Sequence, residues 1–234
     1  MIIKSIWHTF FTQVFWNYHT MASVGACYLL DKLLRDEEIP RAIRLRLIIF
    51  FNGNPYVIPY AISAVAKEVH DKTDEKRILK FIDSVVGILG AVGDQYYWNS
   101  VKPFFIMIPI LAIGLQLDNY LITTVTIFSF IGFNFFQLRE RLIGLTRGYS
   151  HGFYVVADIK EIKNRWGNLH FSKISFLLIL SFLLISLSQV YSDSNLLTVS
   201  IVGLMWGTIS GKRGNSQKYL IFALVSYILM EMYL

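Results

Sequence analysis

Asn52-Gly53-Asn54-Pro55 sets two primary amides on either side of a glycine and ahead of a proline, directly after the apolar run that ends Phe50-Phe51. Asp94 is a lone carboxylate among apolar and aromatic residues, in Gly93-Asp94-Gln95-Tyr96-Tyr97-Trp98. Trp16-Asn17-Tyr18 places a third amide between two flat rings. Amides both donate and accept hydrogen bonds, a carboxylate accepts them, and indole faces offer flat apolar area. Trp16, Asn17, Asn52, Asn54, Asp94 and Trp98 therefore carry the chemistry to hold a polar ligand, or to satisfy backbone that has left a helix.

Each motif also has a plainer reading. Proline disfavours α conformation in the residue before it, so the chain must leave its helix near Asn54. Within a membrane such a break is tolerated against protein or a wet cavity, and often forms a transporter's substrate site. Elsewhere it is an interhelical turn with Asn and Gly serving its geometry. A carboxylate in the setting of Asp94 is costly unless bonded, so Asp94 either caps the following helix, binds a polar ligand or steadies a moving element. Gly87, Gly90 and Gly93 recur at threes and let another helix approach closely. Gly148-Tyr149-Ser150-His151-Gly152 is a loop or helix entry in a basic stretch.

Catalysis has no footing here. His8, His19, His70, His151 and His170 are scattered without metal-ligand spacing. There is no glycine-rich phosphate loop ending in Lys-Ser/Thr and no nucleophile–base–acid set. No catalytic residue, metal or cofactor is expected. Cys27 is the single cysteine, so no intramolecular disulfide forms, and it is expected to pack as a small hydrophobe.

The elements that position these residues are read from hydropathy. Of the 234 residues 54% are hydrophobic and 16% charged, against about 25% charged in ordinary soluble domains. Apolar stretches lie mostly beyond Val101, at about Val101–Leu117, Asn119–Gln137, Ile174–Val190, Leu196–Ile209 and Tyr219–Leu234. The polar break Gln116-Leu117-Asp118-Asn119 separates the first two. Several fall short of the roughly 20 helical residues that a hydrocarbon core asks for. Arg139, Arg141, Arg147, Lys160, Lys163, Arg165 and Lys173 lie between spans two and three, and Lys212, Arg213 and Lys218 between spans four and five. The remaining two connections hold Asp118 and Asp193 and no Lys or Arg. The positive-inside rule then sets the N-terminus inside, five crossings and the C-terminus outside. The net charge of +6 flanks apolar spans rather than one soluble face, which argues against nucleic acid.

The front half is helical. Ile3, Ile6, Phe10 and Val14 share a helical spacing, as do Ile78, Ile82, Val85, Val86 and Leu89. Its Trp and Phe suit a membrane interface, and a packed cytoplasmic helical domain is the other reading. Residues 67–80 mix both charge signs, as a solvated turn does. No cleavable signal peptide is expected at the N-terminus. The expected fold is an all-α membrane protein. Residues 1–100 form amphipathic or re-entrant helical hairpins, and residues 101–234 about five transmembrane helices with a cytoplasmic loop at 138–173.

In order and spacing the motifs resemble the IID component of the mannose/fructose/sorbose-family phosphotransferase system (PTS). They are Trp16-Asn17-Tyr18 with Met21 and Gly25, Phe50-Phe51-Asn52 with Pro55-Tyr56, the glycine run ending Gly93-Asp94 with Trp98 and Lys102-Pro103, and Gly148-Tyr149-Ser150 with Gly152. Gln95 stands where that family usually has proline, and Ile88 where it often does. The resemblance implies a multi-pass subunit of a bacterial inner membrane that pairs with a IIC membrane subunit in a hetero-oligomer. It would help translocate a hexose or related sugar, with phosphoryl transfer left to the cytoplasmic phosphocarriers IIA and IIB. Asn17, Asn52 and Asn54 would meet sugar hydroxyls or opened backbone, Trp16 and Trp98 would offer stacking faces, and Asp94 would hold a hairpin tip or a hydroxyl. Tyr149, Ser150 and His151 would meet a cytoplasmic partner. The alternative is a non-transporting assembly or regulatory membrane protein derived from the same family.

Overall fold

The computed structural model describes residues 5–35, 37–167 and 170–191. The helices are α1 (Ile6–Thr9), α2 (Phe11–Val14), α3 (Ser23–Leu34), α4 (Arg41–Ile49), α5 (Ile58–His70), α6 (Glu75–Gly93), α7 (Lys102–Gly114), α8 (Asn119–His151), α9 (Val155–Gly167) and α10 (Phe171–Tyr191). A π-helical segment, Asp94–Val101, joins α6 to α7, and a 3-10 turn, Gly152–Tyr154, joins α8 to α9. Contacts divide the chain into one unit of residues 1–102 and 130–170, and another of residues 103–129 and 171–234.

In the first unit α5 is the central helix. Every residue from Ile58 to Ala66 is buried, so its first two turns are apolar and enclosed on all sides. It packs on α3, α6 and α9. Helix α3 contributes Ala26, Leu29, Leu30 and Leu33 to this core. Helix α6 contributes Ile78, Ile82, Val85 and Leu89 at the spacing legible in the sequence, with Val86 at the margin. Residues 67–80, expected as a turn, are the end of α5, a short exposed turn at 71–74 and the start of α6, with Ile78 buried and Lys67 paired with Asp71.

Helices α1 and α2 are built the other way round. Thr9 and Thr12 are fully buried and Ser5 nearly so, while Trp7 (73% exposed) and Val14 (68%) face outward. The threonine hydroxyls donate to backbone carbonyls within the same turns. Threonine hydroxyls turned in, with Trp7 and Val14 turned out, suit apolar surroundings or a partner rather than bulk water.

The second unit holds α7 from Pro103, the start of α8 as far as Ser129, and α10. Helix α7 ends at Gly114, Gln116 takes a left-handed φ of 54°, and α8 opens at Asn119, so the expected polar break is a real turn. The Leu121 amide donates to Asp118 Oδ1 to cap α8. Phe104 packs on Phe171 with ring centroids 4.9 Å apart. Among the described residues, the helical run beginning at Asn119 is long and apolar enough to cross a bilayer, and its most apolar stretch is only 11% buried within the chain. A soluble core helix of that composition would be enclosed. The last two expected spans, Leu196–Ile209 and Tyr219–Leu234, lie outside the described residues.

The segment 138–173, expected as a loop, is largely helical. Its first part continues α8 without interruption, and α9 follows the 3-10 turn. Its charges do not all mark a solvated connection: Arg141 sits inside α8 with no exposed surface. At about 1.5 Å per residue, the 33 residues of α8 extend some 50 Å, well beyond one hydrocarbon core.

Candidate functional site

The turn after α4 brings the chain's first two motifs together. The Ala22 amide donates to the Phe51 carbonyl at 2.9 Å and the Phe51 amide to the Thr20 carbonyl at 3.3 Å. Arg46 supports this turn from behind: its Nε lies 2.6 Å from Asp83 of α6, and its Nη1 donates to the Phe50 carbonyl at the end of α4.

The third motif closes from the other side. Asn54 is 1% exposed, and all its polar groups are engaged. Its carbonyl accepts from the amides of Val57 and Ile58, and its Oδ1 accepts from the Tyr56 amide at 3.1 Å. Its Nδ2 donates to Asp94 Oδ1 at 3.2 Å. Glycine at position 93 makes the approach possible, because a Cβ there would fall 2.1 Å from Asn54 Cβ. The glycine spacing thus admits a turn rather than a second helix. Gly90 faces Asn52 Nδ2 at 3.8 Å from its would-be Cβ, and Gly87 faces open space.

Asp94 opens no new helix. The backbone runs on from α6 into the π-helical segment, and no side-chain cap is made. The wider π turn buries Tyr97 and Val101 and leaves Asp94 and Trp98 exposed. Such turns are energetically poor and concentrate at functional positions. Trp98 is held by Lys102, whose Nζ lies 3.9 Å from the ring centroid, and by Tyr56 at 6.4 Å between rings.

These residues enclose a cavity of about 450 Å³, within the roughly 300–1,000 Å³ usual for small-molecule sites. Trp16 and Trp98 supply its aromatic walls, and Asn52, Asn54 and Asp94 its polar groups. Gly53 and Pro55 line the turn, and Gln13 of α2 completes the lining. Asp94 is the one charged residue in it. Its Oδ2 accepts no hydrogen bond from the described residues, so an acceptor remains for an occupant.

Asn17 is placed differently. Its Oδ1 accepts from the amides of His19 and Thr20, at 3.0 and 2.9 Å, and its Nδ2 donates to Thr20 Oγ1. It spends its side chain on a turn beside the cavity rather than lining it. Tyr149, Ser150 and His151 form the last turn of α8, also away from the cavity. Ser150 and His151 are exposed, and His151 Nδ1 lies 2.5 Å from Asp158 Oδ2. Asp158 also takes Arg147 Nη1 at 2.5 Å, so this cluster clasps α8 to α9. Gly148 seats the turn on α5, because a Cβ there would lie 2.1 Å from Ser63 Oγ and 2.3 Å from the Tyr60 carbonyl.

Two residues of the site escaped the sequence. Gln13 follows Thr12 in a stretch rich in Phe and Trp, and no motif singles it out. Arg141 reads as one of a loop's basic residues. In the structure Arg141 is fully buried behind the cavity, donating from Nη1 to the Thr9 carbonyl at 2.5 Å and from Nη2 to Gln13 Oε1 at 3.3 Å.

The family described as "PTS system mannose/fructose/sorbose family IID component" matches residues 1–169. The mannose-specific EIID component of the PTS of Escherichia coli K12 is 28% identical over 155 residues, 62% of this chain and 53% of that protein. The sorbose-specific EIID component of Lacticaseibacillus casei is 23% identical over 158 residues, 64% of this chain and 54% of that protein. The chain spans about half the length of the curated relatives it matches. A chain in the cryo-EM structure of the mannose transporter ManYZ with microcin E492 shares the fold, at TM-score 0.55 and 22% identity over 76% of this chain and 67% of that one. A further solved chain, described as a membrane protein, aligns at TM-score 0.58 and 19% identity over 99% of this chain and 94% of that one.

Proposed function

This chain belongs to the IID components of the mannose/fructose/sorbose-family PTS, and from that premise we propose that it serves as a membrane subunit of a sugar permease, paired with a IIC-type subunit. It contributes its Trp16–Trp98 cavity to the path of a hexose or related sugar. Phosphoryl transfer belongs to separate IIA and IIB phosphocarriers. The chain itself performs no covalent step: it supplies binding, orientation and a moving or supporting framework.

The observation that carries this reading is the cavity's composition. Two indole walls, amides and one carboxylate with an open oxygen converge from three separate motifs. A pyranose has the matching character: C–H groups on its faces pack against aromatic rings, and hydroxyls around its edge donate to a carboxylate and exchange bonds with amides. The outward Trp7 and Val14 of α1 and α2 support burial of this region against lipid or a companion subunit.

The proposed topology keeps the N-terminus inside, with residues 138–173 on the cytoplasmic side. Without the buried Arg141, that segment still carries Arg139, Arg147, Lys160, Lys163, Arg165 and Lys173. Ser150 and His151 there are exposed for a cytoplasmic partner.

The test is uptake in cells that also express the matched IIC, IIA and IIB proteins. Asn52→Ala and Asp94→Ala are expected to reduce sugar uptake at normal protein levels, and the chain is expected to copurify with IIC. Unchanged uptake in both variants, or absence of copurification, would overturn the reading.

A further inference from the structure

We propose that Gln13 is a specificity-determining hydrogen-bond donor of the cavity, and that Arg141, buried behind it, is the positioning residue that fixes which end of the Gln13 amide faces the ligand. The proposal rests on the cavity being a sugar site.

A glutamine amide has two ends of opposite character, an acceptor oxygen and a donor NH₂, and rotation by half a turn exchanges them. At Gln13 the choice is forced. A guanidinium only donates, so the atom facing Arg141 Nη2 at 3.3 Å must be the amide oxygen. The Gln13 NH₂ then points away from Arg141. It makes no hydrogen bond to any described residue, and Gln13 lines the cavity and is exposed. Two N–H donors are therefore left free on a residue that lines the cavity, available to an occupant at this wall.

Arg141 is well held for that task. It has no exposed surface. Its Nη1 is bonded to the Thr9 carbonyl. Its guanidinium carbon lies 4.7 Å from the centroid of the Phe10 ring and 5.1 Å from that of Tyr56. Aromatic contacts and two directed hydrogen bonds leave a planar guanidinium little freedom, which a lysine ammonium would retain. A buried cation is costly unless its neighbours compensate it, and one anchored in this way sets its partners in fixed orientation.

The cavity consequently has a polarity: donors at Gln13 and an open carboxylate oxygen at Asp94. A hydroxylated ring satisfies both, giving a hydroxyl proton to Asp94 and an oxygen lone pair to Gln13. A ligand that is itself anionic meets the Asp94 charge.

Gln13→Glu separates the two roles. Glutamate keeps the side-chain length and still accepts from Arg141, so folding is preserved, but the cavity gains an acceptor where it had donors. In the complete complex with IIC, IIA and IIB, this variant is expected to raise the apparent KM for uptake about tenfold, at unchanged protein level and nearly unchanged maximal rate. Gln13→Leu is expected to do the same and, in addition, to erase the preference for a deoxyfluoro sugar over the corresponding deoxy sugar at one ring position. Fluorine keeps a weak acceptor that plain hydrogen lacks. Arg141→Lys is expected to raise KM as Gln13→Leu does, and the double variant to be no worse than either alone. A purely structural Arg141 would lower protein level and leave KM untouched. Asp94→Asn in the same assay separates the levels of inference. If it impairs uptake while Gln13→Glu leaves KM unchanged, the Gln13 proposal falls and the sugar site stands. If neither variant alters uptake, the sugar site falls with it.

Discussion

Asn54 Nδ2 donates to Asp94 Oδ1 at 3.2 Å across 40 residues of sequence, tying the turn after α4 to the first residue of the π-helical segment. Asn54 is almost wholly buried, so its NH₂ depends on that partner. Replacing Asp94 by Leu leaves a buried donor unmet, and an unmet buried group costs about 1–3 kcal/mol. Asn at position 94 can still turn an oxygen toward Asn54. We expect Asp94→Leu to lower the thermal midpoint of the purified complex clearly and Asp94→Asn to leave it close to wild type. Equal midpoints for the two variants would refute a supporting role for this bond.

Gly93 and Gly87 lie on one helix and predict opposite results. At Gly93 an added methyl collides with Asn54 Cβ and approaches Val57 Cγ2 at 2.9 Å, so turn or helix must shift. Overpacking of this kind costs about 1–3 kcal/mol. At Gly87 the added methyl meets nothing within 4 Å, and alanine gains up to about 1 kcal/mol in helix propensity. Thermal unfolding should rank Gly87→Ala at or above wild type and Gly93→Ala well below it.

This contrast shows what the sequence could carry. Trp16, Asn52, Asn54, Asp94 and Trp98 were legible because a polar or flat residue in apolar context is conspicuous, and all of them line one cavity. The polar break before α8 was legible because Gln116 to Asn119 interrupts hydropathy. What approaches a glycine was not legible: spacing announces room and leaves the visitor unnamed. The π turn hides too, because its i→i+5 bonding leaves no period that a 3.6-residue pattern detects. Arg141 was misread for a related reason. Charge-based topology treats every arginine as solvated, whereas at Arg141 ring contacts, a carbonyl and an amide oxygen replace part of the water, and its Nε has no acceptor among the described residues. Gln13 gains its place from Arg141, so it could not be found before Arg141 was.

The end of α8 gives a third prediction. Gly144 and Gly148, four apart, let α8 cross α5 closely, with Ser63 Oγ within 3.0 Å of the Gly144 carbonyl and 2.5 Å of the Pro59 carbonyl of its own helix. A Cβ at Gly148 meets the Tyr60 carbonyl, which is backbone and cannot swing aside. Ser150 is exposed and bonds the Thr146 carbonyl of its own helix at 2.9 Å. Gly148→Ala is therefore expected to destabilise by about 1–3 kcal/mol, and Ser150→Ala by less than about 0.5 kcal/mol. If Ser150→Ala nonetheless weakens copurification with a cytoplasmic phosphocarrier, its exposed position is a contact. Unchanged copurification for both Ser150→Ala and His151→Ala would remove this turn from the partner surface.

Cys27 provides a pH-dependent probe of the first unit. It is the chain's single cysteine, half-buried on α3, so thiol labelling reports one site. Burial pushes its thiol above the ordinary value, and this outweighs the opposing pull of the Arg44 charge. Alkylation proceeds through the thiolate. A raised pKa means that, at a given neutral pH, the folded protein holds less thiolate than the unfolded chain and reacts more slowly. As pH climbs through the usual thiol range near 8.5 the unfolded chain saturates first. The folded protein keeps gaining thiolate beyond that point. The ratio of folded to unfolded alkylation rate should therefore rise with pH. Shielding by neighbouring side chains alone would give a ratio that is low and independent of pH. Iodoacetamide kinetics from pH 7 to 10, on native protein and on protein unfolded in denaturant, distinguish the two, and a flat ratio would show that access rather than ionisation controls this thiol.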